Sequence, residues 1–268
     1  MNMAMAATIE MNTRLNMHTK DFKFAPLLIL IPVIVVIVAL FLFDEPETVE
    51  DVLDNDPSIE LTLVVGQAGT IYNDIGEPIY ERPDVASQQI ATLQYNCCVF
   101  PSNEQEYDDW IRVDLPGMET SGYVLRNNVK VEDITIRDDS AVRMKIIHDA
   151  LSYIGLRFIR YGDSLEDGVD CSNFINKIYS MDGVEVPTKP NDIKALGAAV
   201  AEENARPGDI VYYNVNNGGG HVGIYLGSGY QLNSTGHSGR TYPEGGVRIC
   251  SLQYRDRLEY EFVNVIGD

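Results

Sequence analysis

Cys171 lies in the run Asp170-Cys171-Ser172-Asn173-Phe174, and fifty residues on His221 lies in Gly219-Gly220-His221-Val222-Gly223-Ile224-Tyr225. A thiol and an imidazole are the groups from which a nucleophile and its base are made. A free thiol titrates near ~8.5 and is mostly protonated at neutral pH, so a working one needs help. Two sources of help are legible. Phe174, Ile175, Ile178 and Tyr179 mark one face of a helix that begins at about Cys171. The thiol therefore sits among unpaired N–H groups at the positive end of a helix dipole. A protonated histidine supplies the rest. Such a pair can attack a carbonyl carbon and deliver a proton to the leaving group.

Four histidines compete for the partner's role. His18 precedes a long apolar run, His148 falls within a predicted helix beside its apolar stripe, and His237 sits in a Ser/Thr/Gly-rich loop. Only His221 opens an apolar strand with a glycine at its shoulder, where a ring can face a cleft. A third group must take the second ring N–H to orient the imidazole. Asn233 on the next predicted strand is the candidate, brought close by cross-strand pairing. Gln231 points to the same face and is the fallback. The bland readings are that Asn233 is a turn residue before Ser234-Thr235-Gly236, and that Asp170 and Ser172 simply cap the helix.

The elements around these residues read as helices followed by antiparallel strands, an α+β pattern. Val142, Ile146, Ala150 and Ile154 recur at helical spacing, predicting an amphipathic helix over 139–155. A turn-rich stretch from Tyr161 to Val169 leads into Cys171. Arg206-Pro207-Gly208-Asp209 is a turn, followed by strands at Ile210–Tyr213, His221–Leu226 and Tyr230–Asn233. Upstream, from about 59 to 132, short β-type runs (Ile59–Val65, Ile90–Leu93, Trp110–Val113, Tyr123–Leu125) alternate with Gly, Asn, Asp and Pro, the pattern of a small barrel.

The 268 residues carry forty acidic and twenty basic side chains, a net charge of −20. That excludes nucleic acid as a partner, since phosphates need Lys and Arg. Ala25 to Phe43 form an uncharged apolar run which, as a helix, spans about 28 Å, one hydrocarbon core. Its length, and the lack of a small-x-small site after it, favour a retained anchor over a cleaved signal peptide. Arg14, Lys20 and Lys23 precede it and only acids follow until Arg82, which places residues 1–24 in the cytoplasm as a tail and the bulk outside the cell membrane. Residues 44–58 read as an acidic linker. If Cys171 works as a thiolate, Cys97, Cys98 and Cys250 remain, an odd number, and these read as small apolar packing residues.

Tyr161 to Phe174, the Pro-Gly-Asp-Ile-Val-Tyr-Tyr run at 207–213, and Gly220-His221-Val222-Gly223-Ile224-Tyr225-Leu226-Gly227 together resemble the NlpC-type cell-wall peptidases. These are papain-like cysteine enzymes often joined to SH3-like wall-binding domains. Trp110-Ile111-Arg112-Val113 followed by Ser121-Gly122-Tyr123-Val124 resembles the last strands of such a domain. The resemblance implies an α+β, papain-like catalytic domain over 135–268, an SH3-like β-barrel over 59–132, and the transmembrane helix before them. It implies Cys171 as nucleophile, His221 as base and Asn233 as third polar residue, with Asp170 and Ser172 holding the free amine of a peptidoglycan stem peptide. Arg160 and Tyr161, in the same motif, fall on the substrate side. No cofactor or metal is implied. The implied reaction is hydrolysis of the γ-D-glutamyl–diamino acid bond. Three positions depart from the family pattern: Ile159 stands where a tyrosine is usual, Asn173 where a glycine follows Cys-Ser, and Asp163 where a second glycine is usual. Ile159 and Asn173 motivate a rival reading, a wall-binding scaffold with a decayed site. An amidase or acyltransferase on the same fold is a further alternative.

Overall fold

The computed structural model describes residues 8–11, 61–71, 76–94, 97–102, 107–215, 219–252 and 258–268. The predicted anchor at 25–43 and the linker at 44–58 lie outside these residues. Among the described residues no helix is long and apolar enough to cross a membrane.

The upstream strands are β1 (Thr8–Met11), β2 (Leu61–Ile71), β3 (Glu77–Tyr80), β4 (Gln89–Leu93), β5 (Cys98–Pro101), β6 (Trp110–Leu115), β7 (Thr120–Leu125) and β8 (Val129–Asp138). They pair in the order β1-β2-β5-β6-β7-β3-β4, with β8 on β2. The period-2 pattern explains why they are strands: Ile111, Val113 and Leu115 of β6 are buried while Asp114 is exposed. The expected tail contains β1, whose Thr8–Met11 pairs antiparallel with Val64–Leu61. That pairing sets both segments side by side, whereas a membrane crossed at 25–43 would separate them.

The expected boundary at 132–135 also changes. β8 runs unbroken to Asp138 and feeds the helix α1 (Ala141–Leu151), so the β unit joins the rest without a linker. Ser140 caps α1 by accepting the Arg143 N–H at 3.5 Å. The buried face of α1 is Arg143, Met144, Ile146, Ile147, Ala150 and Leu151. Val142, read as part of the stripe, is exposed, and Ile154 lies past the helix end. In the first turn it is Arg143 that enters the core, because its charge is met there.

The remaining elements are the hairpin β9 (Asp163–Ser164) and β10 (Gly168–Val169), the helices α2 (Cys171–Met181) and α3 (Pro190–Leu196), and six strands: β11 (Ala198–Val200), β12 (Ile210–Val215), β13 (Gly219–Gly227), β14 (Tyr230–Gly236), β15 (Gly245–Ser251) and β16 (Tyr260–Asn264). The sheet order is β11-β16-β12-β13-β14-β15, with every pair antiparallel. Ile210, Tyr212, Val222, Ile224, Leu232, Val247 and Ile249 share the main core with Phe174, Ile175 and Ile178 of α2. A second cluster holds Val211, Tyr213, Leu252 and Phe262. With both faces covered, the strands read as continuous apolar runs.

One polar cluster ties this frame together. The Arg143 side chain is wholly buried and donates from Nη1 to Asp209 Oδ1 at 3.0 Å and to the Pro207 carbonyl at 2.9 Å. Its Nε and Nη2 donate to the Asp268 carboxylate at 2.7–3.0 Å. Tyr179 Oη donates to the Gly208 carbonyl at 2.6 Å. The turn at 207–209 thus joins α1, α2, the start of β12 and the last residue of the chain. Arg206 extends the network to Asp138 at the end of β8, at 2.5 Å.

Removing Arg143 leaves the buried Asp209 carboxylate without its cation. Arg143→Met is expected to lower stability by about 3–5 kcal/mol in urea denaturation, far more than Asp268→Asn, whose carboxylate is partly hydrated. The Arg143 hydrogen bonds hold the Asp268 carboxyl below its ordinary range. A depressed folded-state value contributes stability above the unfolded value, near ~4, that is lost as pH falls through the folded one. Acid titration of the unfolding midpoint is expected to show a loss below about pH 4 that Asp268→Asn reduces.

Candidate active site

Cys171 is the first residue of α2, as its sequence pattern predicts. Asp170 is the N-cap, with extended backbone, and its Oδ1 accepts the Asn173 N–H at 2.8 Å. Ser172 is buried, and its hydroxyl lies 2.8 Å from the Thr188 carbonyl and 3.2 Å from Asp170 Oδ1. The capping role expected of Asp170 is therefore present, whereas Ser172, inside the helix, caps no helix-end N–H and turns its hydroxyl to the Thr188 carbonyl and the capping carboxylate. The thiol of Cys171 is half-buried against the main core. Within the first turn of α2 there is no acidic side chain, and the carboxylate at this helix end is that of the cap, Asp170.

The approach to Cys171 is built from tight turns. The Asp170 N–H donates to the Gly162 carbonyl at 3.1 Å, and Val169 exchanges bonds with the backbone of 157–159. Gly168 adopts φ +147°, and a methyl there would lie 2.7 Å from both the Arg157 carbonyl and Ile159 Cγ1. Ile159 thus packs onto the Gly168 backbone, so the position expected to hold a tyrosine offers an apolar side chain. Tyr161, at φ +64°, is 77% exposed, and the Arg160 guanidinium lies over its ring at 5.3 Å. Arg160 is also exposed, and its N–H donates to Ser238 Oγ at 3.1 Å. Asp163 pairs with Val169 in the hairpin.

His221 is buried in β13 and pairs directly with Tyr213 of β12, with ring centroids 5.9 Å apart. The glycine before it is required by packing: a methyl on Gly220 would come within 2.6 Å of the Tyr212 ring and 2.7 Å of Pro190 at the start of α3. Gly223, two residues along on the face of His221, lies against β14; a methyl there would meet Gln231 Oε1 at 2.5 Å and Asn233 Cβ at 3.2 Å. His221, Gln231 and Asn233 therefore share one face of the β13–β14 pair, as alternation predicts. Gln231 is fully buried and donates to Tyr213 Oη at 2.5 Å. Asn233 is fully buried too, and neither polar atom of its amide takes a hydrogen bond from the described residues. The expected bond from the His221 ring to Asn233 is thus not made in this structure.

What brings α2 to these strands is a contact the sequence does not signal. Ser234 Oγ, buried, donates to the Val169 carbonyl at 2.9 Å. This fixes the residue two before Cys171 to the residue next to Asn233. Ser234 was legible only as part of a turn-like triplet, and Tyr213 only as a strand residue. Neither carries a local mark of its role.

Residues 157–253 match the model of the NlpC/P60 family. The matched span is about a third of the chain. Over 99 residues it is 31% identical to the murein DD-endopeptidase MepS/murein LD-carboxypeptidase of Escherichia coli strain K12, covering 37% of this chain and 52% of that protein. Over 95 residues it is 30% identical to the gamma-DL-glutamyl hydrolase of Bacillus subtilis strain 168, covering 34% of this chain and 23% of the other. The chain thus spans about half the length, or less, of these curated relatives. Among solved structures it is similar to an NlpC/P60 family protein from Bacillus cereus ATCC 10987, at 23% identity and a TM-score of 0.40, covering 74% of this chain and 63% of the other. The NlpC/P60 match begins after α1 and ends before β16, yet Arg143 and Asp268 bind both flanking segments to its turn at 207–209.

The cap at the head of α2 has a measurable strength. Asp170→Ala is expected to cost about 1 kcal/mol of stability in urea denaturation, whereas Asp170→Asn, which keeps an accepting oxygen, is expected to cost a few tenths.

Proposed function

We propose that this chain is a peptidoglycan stem-peptide endopeptidase whose nucleophile is the Cys171 thiolate. The observation that supports the reading is a half-buried thiol at the capped head of α2, in a chain that also holds His221 and Asn233 on one face of the β13–β14 pair. Its NlpC/P60 context and the names of its relatives supply the substrate class.

The chemistry runs in two halves. The thiolate adds to the scissile carbonyl carbon, and the oxyanion forms beside the Cys171 N–H. The His221 imidazolium gives its proton to the departing amine, leaving a thioester on Sγ. Neutral His221 then takes a proton from water, the hydroxide displaces the thiol, and the new carboxyl end leaves. Asn233 orients the ring. A buried amide without hydrogen bonds is costly, and such groups persist where a function uses them. A shift of the His221 ring toward β14 lets Asn233 Oδ1 accept its N–H. With Ile159 apolar, the oxyanion rests on backbone donation, so the expected turnover is modest.

The bond cleaved in this reading joins γ-D-glutamate to the diamino acid, and the Asp170 charge holds the free amine of the stem. Arg160 and Tyr161 flank the same approach. The strands from 61 to 138 serve as the SH3-like unit that holds or walls the wall strand. The run at 25–43 anchors the chain, with its N-terminus cytoplasmic and the catalytic domain facing the wall. The basic flank before that run and the acidic one after it support this orientation. Pairing of β1 with β2 requires the opposite, an N-terminus on the barrel's side. Protease treatment of intact cells decides between them: a protected N-terminal epitope supports the anchor, and a digested one overturns it.

Release of peptide products from purified muropeptides is expected to vanish in Cys171→Ala and to fall at least 100-fold in His221→Ala, with a smaller loss in Asn233→Ala. Equal release by wild type and Cys171→Ala overturns the enzyme reading. A product with a new N-terminal diamino acid identifies the γ-D-glutamyl bond, and a product split at a cross-link places the cut elsewhere. Asp170→Asn is expected to raise KM while sparing the cap.

A further inference from the structure

Cys97 and Cys250 are 153 residues apart in sequence, yet their Sγ atoms lie 2.6 Å from each other. Both are free thiols and both are fully buried. Their backbones form an isolated antiparallel bridge between the segment before β5 and β15. Residues opposed in such a bridge have Cα atoms about 4.5–5.5 Å apart, inside the range a disulfide spans. Cys98 has no such geometry, since consecutive residues of an extended segment point to opposite sides. We propose that Cys97 and Cys250 form a disulfide that staples the upstream β unit to the sheet that carries His221.

The surroundings are built as a joint. Gln94 donates from Nε2 to the Glu244 carbonyl at 3.1 Å and accepts at Oε1 from Arg248 Nη2 at 2.6 Å. Tyr242 Oη donates to the Cys98 carbonyl at 2.9 Å. Arg248 is fully buried two residues from Cys250. The two thiols are electrically unequal. Burial acts to raise Cys97, but the Cys250 thiol and the Arg248 charge hold it below the ordinary thiol range, while burial pushes Cys250 well above it.

The oxidant is a disulfide, RSSR, either a low-molecular-weight thiol dimer or a thiol–disulfide oxidoreductase. The thiolate of either cysteine attacks one of its sulfurs and expels RS⁻. The other cysteine gives its proton to that thiolate and attacks the sulfur of the first, expelling the second RS⁻, which takes a proton from solvent. Two thiols lose two electrons and two protons, and RSSR becomes two RSH. Since both sulfurs are shielded in the folded chain, exchange takes place before the joint closes. Cys250 pairs in register with Gln231 of β14, so the staple braces the strand beside the one that carries His221.

The experiment is refolding of the full chain in a glutathione redox buffer poised as in an oxidising compartment, followed by denaturation, alkylation and mass analysis. Two of the four cysteines, Cys98 and Cys171, are expected to take the alkyl label, and a proteolytic digest is expected to contain a reducible pair of peptides joined through Cys97 and Cys250. The urea midpoint is expected to rise on oxidation in wild type and in Cys98→Ala, and to be unmoved by oxidation in Cys97→Ser. Four labelled cysteines after refolding, or a link through Cys98 or Cys171, overturns the proposal. If Cys97→Ser does not fold, the peptide map of Cys98→Ala decides alone. None of these readings depends on peptidase activity.

Discussion

The buried cation of Arg143 organises the described residues around the turn at 207–209. Arg143 enters the core from the first turn of α1 and is met by Asp209, by the Pro207 carbonyl and by the Asp268 carboxylate. A charge so buried persists only when its partners are in place, because the cost of taking it from water exceeds that of most single contacts. The partners come from the turn that starts β12 and from the far end of the chain. Tyr179 of α2 binds the same turn. The helix that presents the thiol and the strand pair that presents the imidazole are thereby referred to one point. The NlpC/P60 match does not include Arg143 or Asp268, yet its geometry rests on both.

The site uses polar groups sparingly. Asp170 has one oxygen committed to the α2 cap, and the Ser172 hydroxyl faces that carboxylate and the Thr188 carbonyl, so both carry structural load at the point where the resemblance assigns them substrate. Gln231 commits its amide nitrogen to Tyr213, while its buried Oε1 takes no hydrogen bond from the described residues. Asn233 keeps its amide in reserve, buried beside Gly223.

Much of the local plan was legible. The face formed by Phe174, Ile175, Ile178 and Tyr179 is buried as periodicity predicts, because a helix packed on a sheet must hide one stripe. The alternation at 221–226 places Val222 and Ile224 in the core and His221 on the other face. The reading of α1 was less faithful. Val142 fits the apolar spacing but is exposed, because the adjacent Arg143 takes the inward place once Asp209 and Asp268 are present to receive it. β8 runs across the boundary expected at 132–135. β8 pairs with β2 along its length and also meets Arg206 at its end, so no stretch of chain there is free of both units.

The local placement of the candidate residues was written in the sequence: a thiol behind a helix-capping Asp170, an imidazole near the start of a strand after glycine, and an amide on the next strand. These rest on backbone periodicity and capping, which act over a few residues and leave a pattern in the sequence. Tertiary structure alone decided which distant groups meet: Ser234 with Val169 across 65 residues, Arg143 with Asp268 across 125, and Cys97 with Cys250 across 153. Such meetings are chosen by the burial of apolar faces and by the need to satisfy polar groups trapped beneath them, and neither leaves a periodic mark along the chain.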